Sequence, residues 1–174
     1  EDVRRLVNAR TAMMFFLKPT HKGDDIPAEQ YVALAKDLKI PSFCDAATTT
    51  PPASNVINSV REGFDLLCYS GGKGLRGPYS AGLLLGRKDL VGYARENSAP
   101  NDISIGRGMK VSAEEYLGML VALEVGLNIT EEEDFAYKRK RFANIIEELA
   151  DLPGVTTRVF VSEGETNELY LDVD

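Results

Sequence analysis

Three short apolar runs, separated by stretches of helical character, constrain this chain most. Residues 12–17 (Ala-Met-Met-Phe-Phe-Leu) form the first, a continuous run that suits a strand buried on both faces. Pro27 stands near a helix start, where its missing N–H is tolerated, and Tyr31, Leu34, Ala35 and Leu38 then give one apolar face. Pro41 introduces the second run, Ser42-Phe43-Cys44-Asp45. Val56, Ile57, Val60 and Phe64 mark another helix, closed by Gly63, before the third run, Asp65-Leu66-Leu67-Cys68-Tyr69. Strand, helix, strand, helix, strand at this spacing predicts an α/β fold with a parallel sheet and crossover helices. Ala81–Leu85 is a fourth strand. The intervening loop of about ten residues is too short for a crossover helix, so this strand is expected to run antiparallel to its neighbour.

The later part changes character. Ser112-Ala113-Glu114-Glu115 and Thr130-Glu131-Glu132-Glu133 are capping boxes. The first opens a stripe of Tyr116, Leu120, Leu123 and Leu127, the second one of Phe135, Phe142, Ile145, Ile146 and Leu149. Pro153-Gly154 turns the chain into Val155–Val161, and Leu169, Leu171 and Val173 alternate with polar residues as in a half-exposed strand. A boundary is expected near 110–130, between an α/β part and the start of a small α+β part. The chain opens on Glu1 and ends inside the alternating pattern, which reads as a piece of a longer protein.

At 174 residues and 44% apolar content the chain can bury a core. Its net charge of −7 argues against nucleic acid as the partner of this segment. The sequence shows neither a signal peptide nor an apolar run of membrane-spanning length. Cys44 and Cys68 sit inside strand-like runs and read as buried free thiols, in keeping with a cytoplasmic setting. Asn128-Ile129-Thr130 matches a glycosylation acceptor but lacks a secretory context.

Chemistry gathers around Ser70-Gly71-Gly72-Lys73-Gly74-Leu75-Arg76-Gly77-Pro78, a lysine among four glycines directly after the third strand. Glycine lets backbone amides approach an anion closely. Two uses of the lysine are open: pairing with a phosphate, or a Schiff base with an aldehyde cofactor. Ligands of parallel α/β sheets bind outside the carboxyl ends of the strands. The first strand brings Thr20 and His21 to that edge, the second Asp45, the third Ser70 and Lys73. A carboxylate opposite a lysine suits pyridoxal phosphate, whose pyridine nitrogen it keeps protonated. The loop does not fit the nucleotide-binding phosphate loop, which needs Gly-Lys-Ser/Thr opening a helix.

Ser70 to Leu90, reading on through Tyr79-Ser80-Ala81-Gly82-Leu83-Leu84-Leu85-Gly86-Arg87-Lys88-Asp89, resembles the cofactor-lysine region of the seryl-tRNA selenium transferase-like family. That family (D-glucosaminate-6-phosphate ammonia lyase and relatives) belongs to the fold type I pyridoxal phosphate enzymes. Asp45-Ala46-Ala47 and Ile105-Gly106-Arg107-Gly108-Met109-Lys110 are similar to it as well. The resemblance implies residues 1–115 as the C-terminal half of the cofactor-binding large domain, a mostly parallel mixed sheet with helices on both faces. Residues 116–150 would be connecting helices and 151–174 the start of the small C-terminal domain. It implies pyridoxal 5'-phosphate as cofactor and Lys73 as its Schiff-base lysine. Asp45 would partner the pyridine nitrogen, Ala47 pack against the ring, Ser70 touch the phosphate, and His21 and Gly77 complete the cofactor contacts. Arg107, Lys110 and Arg76 would bind a substrate anion. Tyr79 departs from the glutamine that relatives often carry there, which bears on substrate preference.

The implied activity is α,β-elimination or β-replacement on an amino acid or amino sugar acid, in a homodimer or larger assembly. A class V type aminotransferase and a non-catalytic phosphate-binding module are the alternatives. Residues 1–174 alone are expected to lack a complete site.

Plainer readings stand beside these. Asp45 without Lys73 would be a helix cap, His21 a solvated loop residue, and Arg76 as much a brace of the glycine loop as a ligand contact. Lys138-Arg139-Lys140-Arg141 follows Glu131–Asp134 by one turn, so pairing along a solvated helix accounts for it better than a nucleic-acid patch.

Overall fold

The computed structural model describes residues 2–18, 26–161 and 169–174. Thr20 and His21 lie outside the described residues, and so does the contact expected of His21. Four strands, β1 (Met14–Leu17), β2 (Ser42–Asp45), β3 (Leu66–Ser70) and β4 (Gly82–Gly86), form one sheet in that order. β1, β2 and β3 are parallel, and β4 returns antiparallel to β3, as its short loop requires. The crossovers carry α2 (Ala28–Leu38) and α3 (Asn55–Arg61). Two further helices, α1 (Asp2–Leu6) and α4 (Lys88–Glu96), add to the elements expected from sequence; α4 turns Leu90, Val91 and Ala94 inward.

Strand alternation assigns the core. Met14, Phe16, Cys44, Leu67 and Tyr69 share one face and pack with Tyr31, Val32 and Ala35 of α2, Val56 of α3, and Phe64. The Phe16 ring lies 4.9 Å from Tyr31 and 5.3 Å from Phe64. Each large side chain buried here contributes about 1.5–3 kcal/mol. The same face holds a polar device that the sequence does not announce. Lys18, buried just past β1, donates to Ser59 Oγ at 3.0 Å and pairs with Glu62 Oε1 at 2.5 Å.

The other face corrects one expectation. β1 is buried on one side only: Phe15 is 56% and Leu17 65% exposed, because no described segment covers them. An apolar run reports hydrophobicity, not whether a neighbour exists to bury it. The helices of both crossovers lie against the Met14–Phe16 face, so the helix layer opposite is not formed by the described residues.

Both capping boxes are present, at Ser112/Glu115 of α5 (Ala113–Asn128) and Thr130/Glu133 of α6 (Glu131–Leu149). α5 packs through small residues, Met119 and Leu123, and only Leu123 of the expected stripe faces the core. Met119 is buried, and a Cβ on Gly118 or Gly126 would stand 2.9 Å from Pro78 Cγ or 3.2 Å from Ala53 Cβ. Tyr116, Leu120 and Leu127 point outward, at 58%, 62% and 41% exposure. Close approach of backbones selects glycine and alanine, which periodicity of large residues overlooks. A separate antiparallel pair, β5 (Thr157–Val161) with β6 (Leu169–Val173), completes the described chain.

Candidate functional site

The carboxyl edge of the sheet assembles the candidate site. Asp45 is the last residue of β2 and registers with Leu17 of β1 and Cys68 of β3; Ser70 is the last residue of β3. Asp45 Oδ1 accepts the Ala47 N–H at 3.0 Å, a local turn that fixes the carboxylate, and Asp45 forms no ion pair among the described residues. Cys68 lies beside it. Burial, and then the Asp45 charge, push the Cys68 thiol up to about 11, and burial pushes Cys44 up to about 12. Both sulfurs stay protonated at neutral pH, which removes thiolate chemistry from this edge.

Lys73 follows in a turn whose shape is set by backbone bonds. Gly71 N–H donates to Ala81 O at 2.9 Å, Gly77 N–H to Gly71 O at 2.7 Å, and Arg76 N–H to Lys73 O at 2.9 Å. Gly74 must be glycine because a Cβ there would lie 2.0 Å from Thr50 O, so the turn seats directly on the chain leaving β2. That contact ties the Asp45 strand to the Lys73 loop. Lys73 itself is exposed and has no ion pair among the described residues. A carboxylate without a counter-ion among the described residues and a hydroxyl thus end two adjacent parallel strands, and a lysine follows three residues beyond the second. This donor set fits an aldehyde cofactor carrying a basic ring nitrogen and a phosphate.

The other predicted site residues divide. Ala47 follows Asp45 by two positions and is half-buried, and Gly77 closes the lysine turn. Arg76 turns away from the edge. It has φ 57, a left-handed conformation of order 1–3 kcal/mol unfavourable for a residue with a Cβ. Its guanidinium pairs with Asp134 of α6 and lies over the Tyr137 ring at 5.6 Å. Arg107 and Lys110 sit beyond α4 in an irregular segment, where Arg107 meets Asp102 at 3.5 Å. Tyr79 is 92% exposed, and a Cβ on Gly72 would meet its ring at 2.5 Å.

Asp134 is the residue that sequence reasoning missed. It stands in an acidic run that reads as solvated, yet it is buried, with Arg76 on Oδ1 and Lys138 on Oδ2 at 3.1 Å. Only the i, i+4 spacing to Lys138 hinted at a partner. A cavity of about 290 Å³ adjoins this pair, lined by residues that include Pro51, Gly74, Arg76, Val125, Asp134 and Phe135, but not by Asp45, Ser70 or Lys73. No group of metal-ligating side chains occurs among the described residues, and no described helix is long and apolar enough to cross a membrane.

Comparison with known proteins agrees with this geometry. No family model matches the chain. A 5'-C-glycyluridine monooxygenase-decarboxylase from a Streptomyces species is 32% identical over 161 residues, covering 90% of this chain and 38% of that protein. The structure of D-glucosaminate-6-phosphate ammonia-lyase superposes with a TM-score of 0.71 at 20% identity, over 97% of this chain and 43% of the other. An O-acetylhomoserine (thiol)-lyase from Campylobacter jejuni, whose structure holds an N'-pyridoxyl-lysine-5'-monophosphate residue, gives 0.52 at 17% identity over 89% of this chain and 43% of its own. The chain thus spans less than half the length of each of these relatives, and over that span it has the fold of the type I pyridoxal phosphate enzymes.

Proposed function

We propose that this chain is the lysine-bearing part of a pyridoxal phosphate enzyme acting on a substrate with an α-amino acid group. The observation that supports this reading is that Asp45 and Ser70 end adjacent parallel strands and Lys73 stands in the glycine turn directly after the second of them. Lys73 would hold the cofactor aldehyde through its amine, in a turn fixed by Gly74 against Thr50. Asp45 would be the carboxylate partner that favours a protonated ring nitrogen. Ser70 and the Gly71 loop contact the phosphate. The cofactor, when bound, supplies an electron sink for charge developing at the substrate α-carbon. The Lys73 amine, when free, would serve as the general base for the proton at that carbon. Arg107 and Lys110 are the cations available for a substrate carboxylate or phosphate, within a homodimer or larger assembly.

Elimination or replacement of a β-substituent is the reaction this reading favours, in line with the ammonia-lyase and thiol-lyase named among the structures of the same fold. A second reading has a specific observation behind it. The 32% identical relative is named a monooxygenase-decarboxylase of a glycyl compound, which puts the bond to the carboxylate in play. Ammonia or β-group release without oxygen uptake from amino acid substrates supports the first; carbon dioxide release with oxygen consumption supports the second.

Lys73→Ala in the full-length protein tests the common core of both. It is expected to abolish the visible absorbance of the cofactor-bound protein and to cut turnover by more than about a thousandfold, with an unchanged melting temperature, since the side chain is exposed. Wild-type absorbance retained in that variant would refute the assignment. A colourless wild-type protein that binds phosphate compounds through Lys73 would instead establish a non-catalytic anion-binding module.

A further inference from the structure

We propose that Asp134 is a positioning residue for Lys73, acting through Arg76 as a clasp that holds the lysine turn in one conformation. The inference rests on the cofactor reading of Lys73 given above. Arg76 joins the two ends of the device. Its backbone N–H donates to Lys73 O at 2.9 Å and so closes the turn that presents the amine. Its φ of 57 is of higher energy for a residue with a Cβ, a cost that contacts of its side chain help to offset. Asp134 holds that side chain. The carboxylate is buried on α6, binds the guanidinium through Oδ1, and separately pairs through Oδ2 with Lys138, one turn along the same helix, at 3.1 Å.

The Tyr137 ring lies under the guanidinium at 5.6 Å and limits it to that direction. Gly77 N–H, the next amide along, closes onto Gly71 O at 2.7 Å, so a slip at Arg76 is transmitted to both ends of the glycine loop. The lysine is thereby tied to a helix beyond the sheet. A glycine loop without such a tie samples many conformations, and an amine that must meet one aldehyde carbon loses its advantage when it wanders.

The test compares three variants of the full-length protein by two measurements. Amide hydrogen exchange reads the turn directly, and the visible absorbance fixed by borohydride after incubation with pyridoxal phosphate reads the placement of Lys73. Asp134→Asn is expected to speed exchange of the Arg76 and Gly77 amides about tenfold while Leu67 and Tyr69 in β3 keep their protection. It is also expected to weaken pyridoxal phosphate capture about tenfold. Arg76→Ala, a change at an exposed side chain, should match it, and adding Asp134→Asn to Arg76→Ala should have no further effect.

Lys138→Met removes the other contact of Asp134 and should leave both measurements at wild-type values. Unchanged exchange at Arg76 and Gly77 in Asp134→Asn overturns the proposal. So does a Lys138→Met variant that behaves like Asp134→Asn, which would show Asp134 acting through the stability of α6. Amides that respond as expected in a protein that never takes up pyridoxal phosphate keep the clasp and remove the cofactor reading.

Discussion

The two ends of the sheet use an aspartate in opposite ways. At the amino end, Asp65 accepts from Ser42 N–H at 2.9 Å and Ser42 Oγ at 3.1 Å, and pairs with Arg87 at 3.1 Å. At the carboxyl end, Asp45 accepts the amide of its own turn and lies against the neutral Cys68 thiol, and it has no ion pair among the described residues. Two lysines past the carboxyl ends of strands show the same contrast within one edge: Lys18, after β1, is buried against Ser59 and Glu62, whereas Lys73, after β3, is exposed and has no ion pair among the described residues. A charge saturated by its own chain serves stability. One that is held in place yet left without a counter-ion is available to a ligand.

The largest separation between the two ends is expected from Asp45. Asp45→Asn in the full-length protein should lower turnover by roughly a hundredfold or more, since the ring nitrogen loses its anion, and should leave the urea midpoint close to wild type. A fall in stability with activity retained would assign Asp45 to the amino-end type. Glu62→Gln comes next. It strands the buried Lys18 ammonium, and chemical denaturation should record a loss of roughly 2–4 kcal/mol. Retention of full stability would mean that Lys18 escapes to water and is not structural.

Asp65→Asn is the smallest, at about 1–2 kcal/mol near neutral pH, and its pH dependence is the sharper readout. Burial alone would raise the Asp65 carboxyl, but the Ser42 amide and hydroxyl together with Arg87 hold it below its ordinary value. A carboxyl with a depressed folded-state pKa contributes stability above its unfolded value, about 4, and loses it as pH falls through the folded one. Asp65→Asn should therefore flatten part of the acid limb below about pH 4 and match wild type best at the lowest pH. An unchanged acid limb would detach Asp65 from this account.

What could be read from sequence follows the range of each interaction. Ser42–Asp45 was legible as a strand and Asp45 as its end, because a short apolar run after Pro41 carries that information locally. The antiparallel β4 followed from loop length alone. The open side of β1 was not legible, since Phe15 and Leu17 have the same composition whether covered or bare. Apart from Leu123, the packing face of α5 was missed because Gly118, Ala122 and Gly126, which large-residue periodicity ignores, make up much of it. Lys18–Glu62 and Arg76–Asp134 pair side chains far apart in sequence, and nothing local to either member specifies the other. The candidate site residues Asp45, Ser70 and Lys73 carry a local sequence signature; Asp134, which pairs with Arg76 from α6, does not.

The central claim is that the amine of Lys73, and of no other lysine, holds the cofactor. Borohydride reduction of the full-length protein loaded with pyridoxal phosphate, followed by peptide mass mapping, tests it directly. The account predicts one pyridoxyl group per chain, on the peptide that contains Lys73. A label on Lys18, Lys110 or any other lysine, or no label at all, would contradict it.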